Sequence, residues 1–290
     1  MKKYNRISLI IAFVAGMVIT TVSAQQAKVL NLDKNVYAIS LLGYTSLVVE
    51  GENDVLITDP ANTHRATLLK KEIEKLTDKP IAKIVLTHEH FDHTGGSEVF
   101  TEARIIAQKN VMNLKRLDPL DMFPDKVDIL FDQNLTLDMG TTTVELKYPG
   151  AGDGAAIALI YLPREKIAVT ADMYVDQGLN PGIFLSHTNL LGTRHILNTL
   201  VSWNLNHAVN VHSSRTDTEP LERTAAFLND LYSELLPKIQ SLNSDDPHGL
   251  LPGIFKLKET LKMPKYKDWE NYSDLPVYIQ KMAFDIIHGG

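Results

Sequence analysis

The first part of the chain alternates hydrophobic and polar positions in short stretches. This alternation predicts three strands, which are separated by turns at Gly43 and at residues 51–54. They are residues 36–40, 45–49 and 55–58. The spacing of hydrophobic residues then changes to that of a helix, since residues 66–76 place leucines and isoleucine on one helical face. A strand rich in β-branched residues is predicted next, at residues 81–86. The opening therefore predicts a hairpin-rich sheet that continues into a helix and a further strand.

The alternation of strands and helices continues to about residue 240. The pattern predicts strands at residues 105–106, 135–137, 142–146, 157–162, 167–169 and 208–211, and helices at residues 188–203 and 219–239. Strands with helices between them indicate an α/β fold in which helices cover sheets. Residues 25–240 show no repeat and no long linker, so we predict one domain there. Residues 241–290, which contain four prolines, are the least predictable part, and we expect them to pack on the same domain as a C-terminal extension.

The first 24 residues carry the features of a secretory signal peptide. Three basic residues lie within the first six positions, residues 7–19 are almost all apolar, and small residues end at Ala24. The alternative is an uncleaved membrane anchor, although the apolar run is shorter than the roughly 20 residues of a spanning helix. We expect cleavage and export, giving a periplasmic or secreted protein with no stable membrane association.

Composition narrows the chemistry that the protein can carry. Hydrophobic residues make up 44% of the chain and charged residues 22%, which excludes a disordered protein. The chain has no cysteine, so thiolate zinc sites, iron–sulfur clusters and a cysteine nucleophile are excluded, while ten histidines are available as ligands. Cleavage of the predicted signal peptide would remove three of the 29 basic residues and none of the 35 acidic ones. The remaining chain would have a formal charge of −9. We therefore expect no binding to nucleic acid or to an anionic membrane surface.

Potential metal ligands are concentrated directly after the strand that follows the first predicted helix. Three histidines and two carboxylates occupy six consecutive positions that begin at His88. His88 and His90 alternate toward one side of the chain, whereas Asp92 and His93 can reach a second position, so two metal ions could share this loop. The alternative interpretation is a solvated polar loop. Glu89 is expected to point away from the metals, as a solvated or structural side chain rather than a general base.

Three other predicted strands end next to a residue that can bind a metal. One runs into a glycine-rich loop that contains Asp153, a second runs into Asp172, and a third runs directly into His212. Metal sites in sheet proteins are assembled from loops at one end of several strands. These three residues are therefore candidates for the same site as the histidine-rich loop.

The cluster that begins at His88 resembles the metal-binding signature of the metallo-β-lactamase superfamily. The resemblance covers most of residues 28–240, and Asp172 resembles the bridging aspartate of the glyoxalase II and lactonase branch. It implies a four-layer αβ/βα sandwich, an α/β fold, with the metals in a cleft at one edge of the two sheets. It also implies that Asp59, at the end of the third predicted strand, supports the metal loop from behind.

The resemblance assigns ligands to two divalent metal ions. The ligands that it implies are His88, His90 and Asp153 for the first ion, Asp92, His93 and His212 for the second, and Asp172 between them. Asp92 is also expected to be catalytic, by orienting a hydroxide. Zinc is the expected metal, with iron or manganese as alternatives.

Asp153 departs from the family pattern, in which the same loop supplies a third histidine. An anionic ligand lowers the net positive charge at the first metal and weakens its effect on a bound water, and it also favours harder metals. Alternatively, Asp153 only turns the glycine-rich loop, which would leave that metal with fewer ligands.

Together these features predict an exported metallo-hydrolase of a small molecule. A hydroxide held by two metal ions would attack a small ester, thioester, lactone or amide without a protein nucleophile. The alternatives are β-lactam hydrolysis of the cysteine-free kind and a non-hydrolytic, metal-binding or redox member of the fold. Among the remaining histidines, His187 either lines the mouth of the cleft or simply precedes a helix cap.

Overall fold

Two β-sheets form the centre of the fold. The structure is a computed structural model that describes residues 26–242 and 247–289, so the predicted signal peptide lies outside the described residues. Seven strands neighbour one another in chain order in the first sheet. They are β1 (Lys28–Asp33), β2 (Val36–Leu41), β3 (Tyr44–Glu50), β4 (Val55–Thr58), β5 (Ile81–Val85), β6 (Arg104–Gln108) and β7 (Ile129–Phe131). The pairing is antiparallel from β1 to β4 and parallel from β4 to β7, so the predicted hairpin-rich opening is present.

The second sheet contains five strands in the order β12, β11, β10, β9, β8. They are β8 (Asn134–Asp138), β9 (Thr143–Lys147), β10 (Leu159–Leu162), β11 (Ile167–Val169) and β12 (His207–Val209). The predicted hairpins β8–β9 and β10–β11 are antiparallel, whereas β12 joins β11 in parallel. Apolar side chains from the inner faces of both sheets share one buried cluster, which holds the sheets together.

Helices cover the two outer faces. The described residues form seven α-helices, namely α1 (Thr63–Ile73), α2 (Phe91–Thr94), α3 (Val111–Lys115), α4 (Leu190–Ser202), α5 (Glu219–Gln240), α6 (Pro247–Thr260) and α7 (Leu275–His288). The apolar side of α1 packs on the outer face of the first sheet, and α4, α5 and α7 pack on the second. The predicted four-layer α/β sandwich is confirmed.

Several element boundaries differ from the predictions, for local reasons. Helix α1 starts three residues earlier than predicted because the Asn62 side chain accepts a hydrogen bond from the backbone N–H of Arg65 and so caps the helix. Helix α4 starts two residues later than predicted, after Asn189, whose side chain accepts a hydrogen bond from the Gly192 N–H. Strand β1 was not predicted, because it lies at the sheet edge with only alternate residues half-buried. Strand β7, also unpredicted, has only three residues.

The C-terminal residues pack into the same core as α4 and α5. Pro276 occupies the first turn of α7, where its missing N–H costs no helical hydrogen bond, and an apolar stripe follows it. The buried carboxylate of Asp285 accepts a hydrogen bond of 2.7 Å from the N–H of Leu190, the first residue of α4. Helix α7 therefore fixes the start of α4.

The described helices are all too short or too polar to cross a lipid bilayer.

Candidate metal centre

All seven predicted ligands lie together at one edge of the two sheets. The loop after β5 carries His88 to His93, the loop after β9 carries Asp153, and Asp172 and His212 follow β11 and β12. Parallel pairing of β11 with β12 places the last two residues side by side. The side chains form two donor groups, within each of which the candidate ligand atoms lie within 4.8 Å of one another. The first group is His88, His90, Asp153 and Asp172, and the second group is Asp92, His93 and His212.

In the first group, the nitrogen and oxygen atoms converge on one point. His88 Nε2 lies 3.0 Å from His90 Nδ1, which in turn lies 3.7 Å from Asp153 Oδ2. His88 Nε2 is also 3.3 Å from Asp172 Oδ1. Two imidazole nitrogens and two carboxylate oxygens that face each other in this way form a donor set for one divalent ion.

The second group converges on a neighbouring point. His93 Nε2 lies 3.2 Å from His212 Nε2 and 3.4 Å from Asp92 Oδ2. Asp172 Oδ2 lies 3.6 Å from His93 Nε2 and 3.7 Å from His212 Nε2. One oxygen of Asp172 therefore faces each donor group, as expected for a residue placed between two metals.

Asp59 supports the first group from behind. Its fully buried carboxylate accepts hydrogen bonds from the N–H and the hydroxyl of Thr87, at 2.8 and 2.7 Å. The Thr87 oxygen lies 3.0 Å from Nδ1 of His88, which leaves Nε2 of that ring to face the donor group. Burial raises the pKa of Asp59 to about 6.

Glu89 is a buried anchor for the loop that carries Asp153. It is only 7% exposed, and its carboxylate accepts hydrogen bonds from the N–H groups of Ala155 and Ala156, the latter at 2.9 Å. Gly154 has a positive φ of 93°, and a Cβ there would lie 2.7 Å from Glu89 Oε2. Of the two roles predicted for Glu89, the structure thus shows the structural one. The hydroxyl of Thr188 completes the anchoring, because it donates to Asp153 Oδ1 at 2.8 Å.

Arg65 anchors the opposite side of the site. Its guanidinium is fully buried and donates to the backbone carbonyls of Leu41, Tyr44 and Asp59 at 3.0 to 3.3 Å. This clamps the turn between β2 and β3, where the Gly43 carbonyl lies 3.3 Å from His212 Nδ1. The Tyr44 hydroxyl donates to Asp92 Oδ2 at 3.4 Å, so the same turn contacts two residues of the second group.

The charges of the site suit a bound cation. Burial lowers the pKa of His88 well below its usual value. Burial would also lower the pKa of His93, but hydrogen bonds with Asp172 and Asp92 raise it to about 10. Burial, together with the adjacent Asp172 carboxylate, raises the pKa of Asp153. Three carboxylates thus lie close together in one site, where their negative charges repel one another. A divalent cation bound between them would stabilise this arrangement.

A carboxylate oxygen without a hydrogen bond supports the same interpretation. Among the described residues, Oδ1 of Asp172 is a buried side-chain atom that has no hydrogen-bond partner. A buried carboxylate oxygen that lacks a donor costs free energy unless a cation binds it. The histidine and aspartate donors present here are those that zinc, iron and manganese use in proteins.

A cleft of about 680 Å³ opens in front of the two groups. Asp92, Asp153 and His212 line its floor, and the segment that contains His187 forms one wall. His187 therefore lines the mouth, while the cap of α4 is Asn189. The backbone joins this wall to the Asp153 loop, because the Asn189 N–H donates to the Gly152 carbonyl at 2.7 Å.

The chain belongs to the metallo-beta-lactamase superfamily, whose family model matches residues 40–188. This confirms the family predicted from the histidine-rich loop.

Two curated relatives show what the chain is similar to. It is 26% identical over 145 residues to a metallo-beta-lactamase type 2 of Bacillus sp. (strain 170), which is 47% of this chain and 56% of that protein. It is 33% identical over 73 residues to the 2,4-dinitroanisole O-demethylase subunit beta of Nocardioides sp. (strain JS1661), 24% of this chain and 23% of that protein. The matches therefore span little more than half of the first relative and about a quarter of the second.

Solved structures show the same fold. A metallo-beta-lactamase from Pontibacter korlensis superposes with a TM-score of 0.60 at 20% identity, over 71% of this chain and 100% of that chain. The DIM-1 metallo-beta-lactamase also superposes with a TM-score of 0.60, at 18% identity, over 71% of this chain and 98% of that chain.

Sequence reasoning missed three of the side chains that hold the site in place. They are Tyr44 and Thr188, which each donate to a candidate ligand, and Arg65, which donates to carbonyls on both sides of the turn between β2 and β3. The Asn62 cap was a usable signal for the position of Arg65, because the third residue after a cap lies in the first turn of a helix. No local pattern indicates that its guanidinium is buried.

Proposed function

We propose that the protein is a metal-dependent hydrolase of a small ester, thioester, lactone or amide. One observation carries the proposal: two donor groups made of four histidines and three aspartates meet at Asp172 and open into a single cleft. Such a pair of groups suits two divalent ions, and zinc is the first candidate for both.

The proposed roles follow from where each side chain lies. When bound, the two ions would acidify a water molecule and polarise the oxygen of the scissile group. Asp172, with one oxygen toward each group, would fix the spacing of the two ions. Asp92 has about half of its side chain exposed to the cleft, so we assign to it the orientation of the attacking water. Thr87 would hold the His88 ring in the tautomer that leaves Nε2 free.

Metal content is the first test. The protein is purified without metal, reconstituted with zinc, manganese or iron, passed over a desalting column and analysed by mass spectrometry. We expect about two ions per chain for the preferred metal, from the two donor groups. Fewer than one tightly bound ion would contradict a dinuclear hydrolase.

A substrate panel is the second test. Chromogenic esters, thioesters, lactones and a cephalosporin are assayed with and without a chelator. We expect ester or lactone hydrolysis that the chelator abolishes and that added metal restores. Activity that does not respond to the chelator would contradict the proposal. The cephalosporin is included because three of the matching curated relatives are named metallo-beta-lactamase type 2.

Asp153 supports a second candidate, a metal-binding or redox protein without hydrolytic activity. Its buried carboxylate adds negative charge to the first group, and negative ligands weaken the effect of a metal on water. Metal binding with no hydrolysis of the panel, together with reversible oxidation of the iron-loaded protein, would favour this candidate.

We also propose that the protein is exported. The support is the basic start and apolar run of the first 24 residues. Expression of the whole sequence in a bacterial host, followed by fractionation and N-terminal sequencing, tests this. We expect a periplasmic or secreted protein that begins at Gln25, and an uncleaved N-terminus in the membrane fraction would contradict it.

A further inference from the structure

One wall of the cleft is apolar and exposed. Ile183 and Phe184, in the short helical segment before α4, are 80% and 61% exposed, and both line the cleft. Leu120, which is 71% exposed, and Met122 line it from another loop. Apolar side chains that face a catalytic cleft and remain open to water gain free energy when an apolar part of a ligand covers them.

The same cleft has no fixed positive charge on its walls. None of its lining residues in the described part of the chain is lysine or arginine, whereas Asp92, Asp153 and Asp172 all line it. Of its three histidines, His90 and His212 belong to the donor groups, and an imidazole that binds a metal is neutral. Only the imidazole of His187 remains among the lining residues to meet an anion.

The two arginines near the cleft contact other groups of the protein and not the cleft. Arg215 lies three residues after His212, yet its guanidinium pairs with Asp217 at 2.7 Å and with Glu219 at 3.0 Å. Arg65 is fully buried behind the site and donates to backbone carbonyls. Neither cation is available to a ligand in the cleft.

The donor groups themselves offer little positive charge to an anionic ligand. Three aspartates would offset three of the four positive charges that two divalent ions bring. A histidine in place of Asp153 would leave a larger surplus, so Asp153 reduces the attraction of the site for an anion. The acidic composition of the whole chain acts in the same direction on approach.

From these observations we propose that the cleft selects a neutral or cationic substrate that has an apolar group beside its scissile bond, and that it discriminates against substrates that carry a carboxylate. This inference rests on the proposed hydrolase function and narrows it. Penicillins and cephalosporins carry a carboxylate next to the lactam nitrogen, so the inference favours uncharged esters and lactones over β-lactams.

Matched esters test the charge selectivity. Three aryl esters share the same acyl chain and differ only in its end group, which is methyl, carboxylate or ammonium. On the zinc-loaded protein we expect kcat/KM for the carboxylate ester to be at least about tenfold below that of the methyl ester. The ammonium ester should be hydrolysed at least as well as the carboxylate ester. Equal or faster hydrolysis of the carboxylate ester would overturn the proposal.

A single added cation sharpens the test. Ser186 is exposed on the cleft wall, so Ser186→Lys places a positive charge there, and Ser186→Gln adds length without charge. We expect the lysine variant to raise the ratio of kcat/KM for the carboxylate ester over the methyl ester by about three- to tenfold. The glutamine variant should leave that ratio unchanged. If both variants change it equally, charge does not determine the selectivity.

Chain length tests the apolar wall. In a series of unbranched acyl esters, each methylene that the wall covers should raise kcat/KM by up to about fourfold. Phe184→Ala should flatten this series, whereas Val201→Ala, which removes an exposed apolar side chain on the remote part of α4, should not. A series that is flat in the unchanged protein would overturn the apolar part of the proposal.

A binding measurement separates the failure of this proposal from the failure of the hydrolase function. The same three end groups are placed on aryl ketones, which have no bond to hydrolyse, and their affinity for the zinc-loaded protein is measured by calorimetry. If no ester, thioester, lactone or amide is hydrolysed but the methyl ketone still binds about tenfold more tightly than the carboxylate ketone, the selectivity stands and the hydrolase function fails. Tighter binding of the carboxylate ketone overturns the selectivity whether or not any substrate is hydrolysed.

Discussion

The two donor groups are held in place by opposite charges. Behind the first, the Glu89 carboxylate accepts two backbone N–H groups and fixes the loop that carries Asp153. Behind the second, the Arg65 guanidinium donates to backbone carbonyls and fixes the turn that contacts His212 and Asp92. The anionic Glu89 thus binds backbone N–H groups on one side of the site, and the cationic Arg65 binds backbone carbonyls on the other.

The two supports differ in how much of the fold depends on them. Arg65 joins β2, β3 and the loop after β4, so its loss would remove a charged donor from three backbone carbonyls. Glu89 orders only the short loop after Asp153, whose other side is fixed by Thr188. We therefore expect damage at Arg65 to reduce the stability of the protein, and damage at Glu89 to reduce the metal affinity of the first group.

The largest effect should follow from Asp172→Ala, which removes the residue shared by both groups. We expect loss of both ions and a fall in kcat/KM of at least about a thousandfold, because bound metals supply several kcal/mol of transition-state stabilisation. Metal content and ester hydrolysis measure this. Asp132→Asn, at an exposed ion pair with Lys109, is the control. Retention of two ions by Asp172→Ala would show that the groups are independent.

Arg65→Met should lower the free energy of unfolding of the metal-free protein by about 3 kcal/mol or more. The reason is that the carbonyls of Leu41 and Tyr44 would lose the guanidinium donor, and the Asp59 carbonyl would keep only the Ser46 hydroxyl. Urea denaturation measures the change, and Arg104→Met, at an exposed arginine, serves as the control. An unchanged midpoint would mean that the turn between β2 and β3 does not depend on Arg65.

Glu89→Gln should weaken binding of one ion by about ten- to a hundredfold and leave the other ion in place. The amide keeps the shape of the side chain, but it turns an NH₂ group toward a backbone N–H where a carboxylate oxygen accepted. Metal per chain is measured against increasing chelator concentration, with Glu98→Gln as the exposed control. Simultaneous loss of both ions would contradict a separate support for the first group.

Asp153→His should produce the smallest change, which tests the chemistry of the first group without removing a ligand. A neutral donor leaves more positive charge on the first ion, so the midpoint of the pH profile of kcat/KM should move to lower pH by about one unit. Thr188→Ser in the same protein makes room for the larger ring while keeping a hydroxyl. A midpoint that stays in place would indicate that Asp153 does not bind the metal.

The candidate ligands could be predicted from the sequence because each of them lies in a segment that follows a strand. His88, Asp172 and His212 come at the ends of three apolar β-branched runs, and parallel or neighbouring strands deliver their ends to the same edge of a sheet. The donor atoms of each predicted metal group lie within 4.8 Å of one another. Whether these residues bind metal stays a prediction that the experiments above test.

Asp59 was predicted to support the metal loop, but the contacts of Glu89 and Arg65 could not be predicted, because they join distant parts of the chain. Glu89 meets Ala155 and Ala156 across 66 and 67 positions, and no local pattern encodes that meeting. Arg65 resembles any polar residue of an amphipathic helix until the loop after β4 folds over it. In α7, Pro276 suggested irregular structure, although a proline followed by an apolar stripe also fits the first turn of a helix.

Helix α7 also sets an order of events for a growing chain. All seven candidate ligands precede α7 in the sequence and are synthesised before it. Asp285 of α7 holds Leu190, and the neighbouring Asn189 holds the loop of Asp153 through the Gly152 carbonyl. A nascent chain therefore exposes its complete set of histidines and aspartates before the wall that arranges the first group has docked. We therefore expect metal ions to bind in the final geometry only after synthesis of α7 is complete.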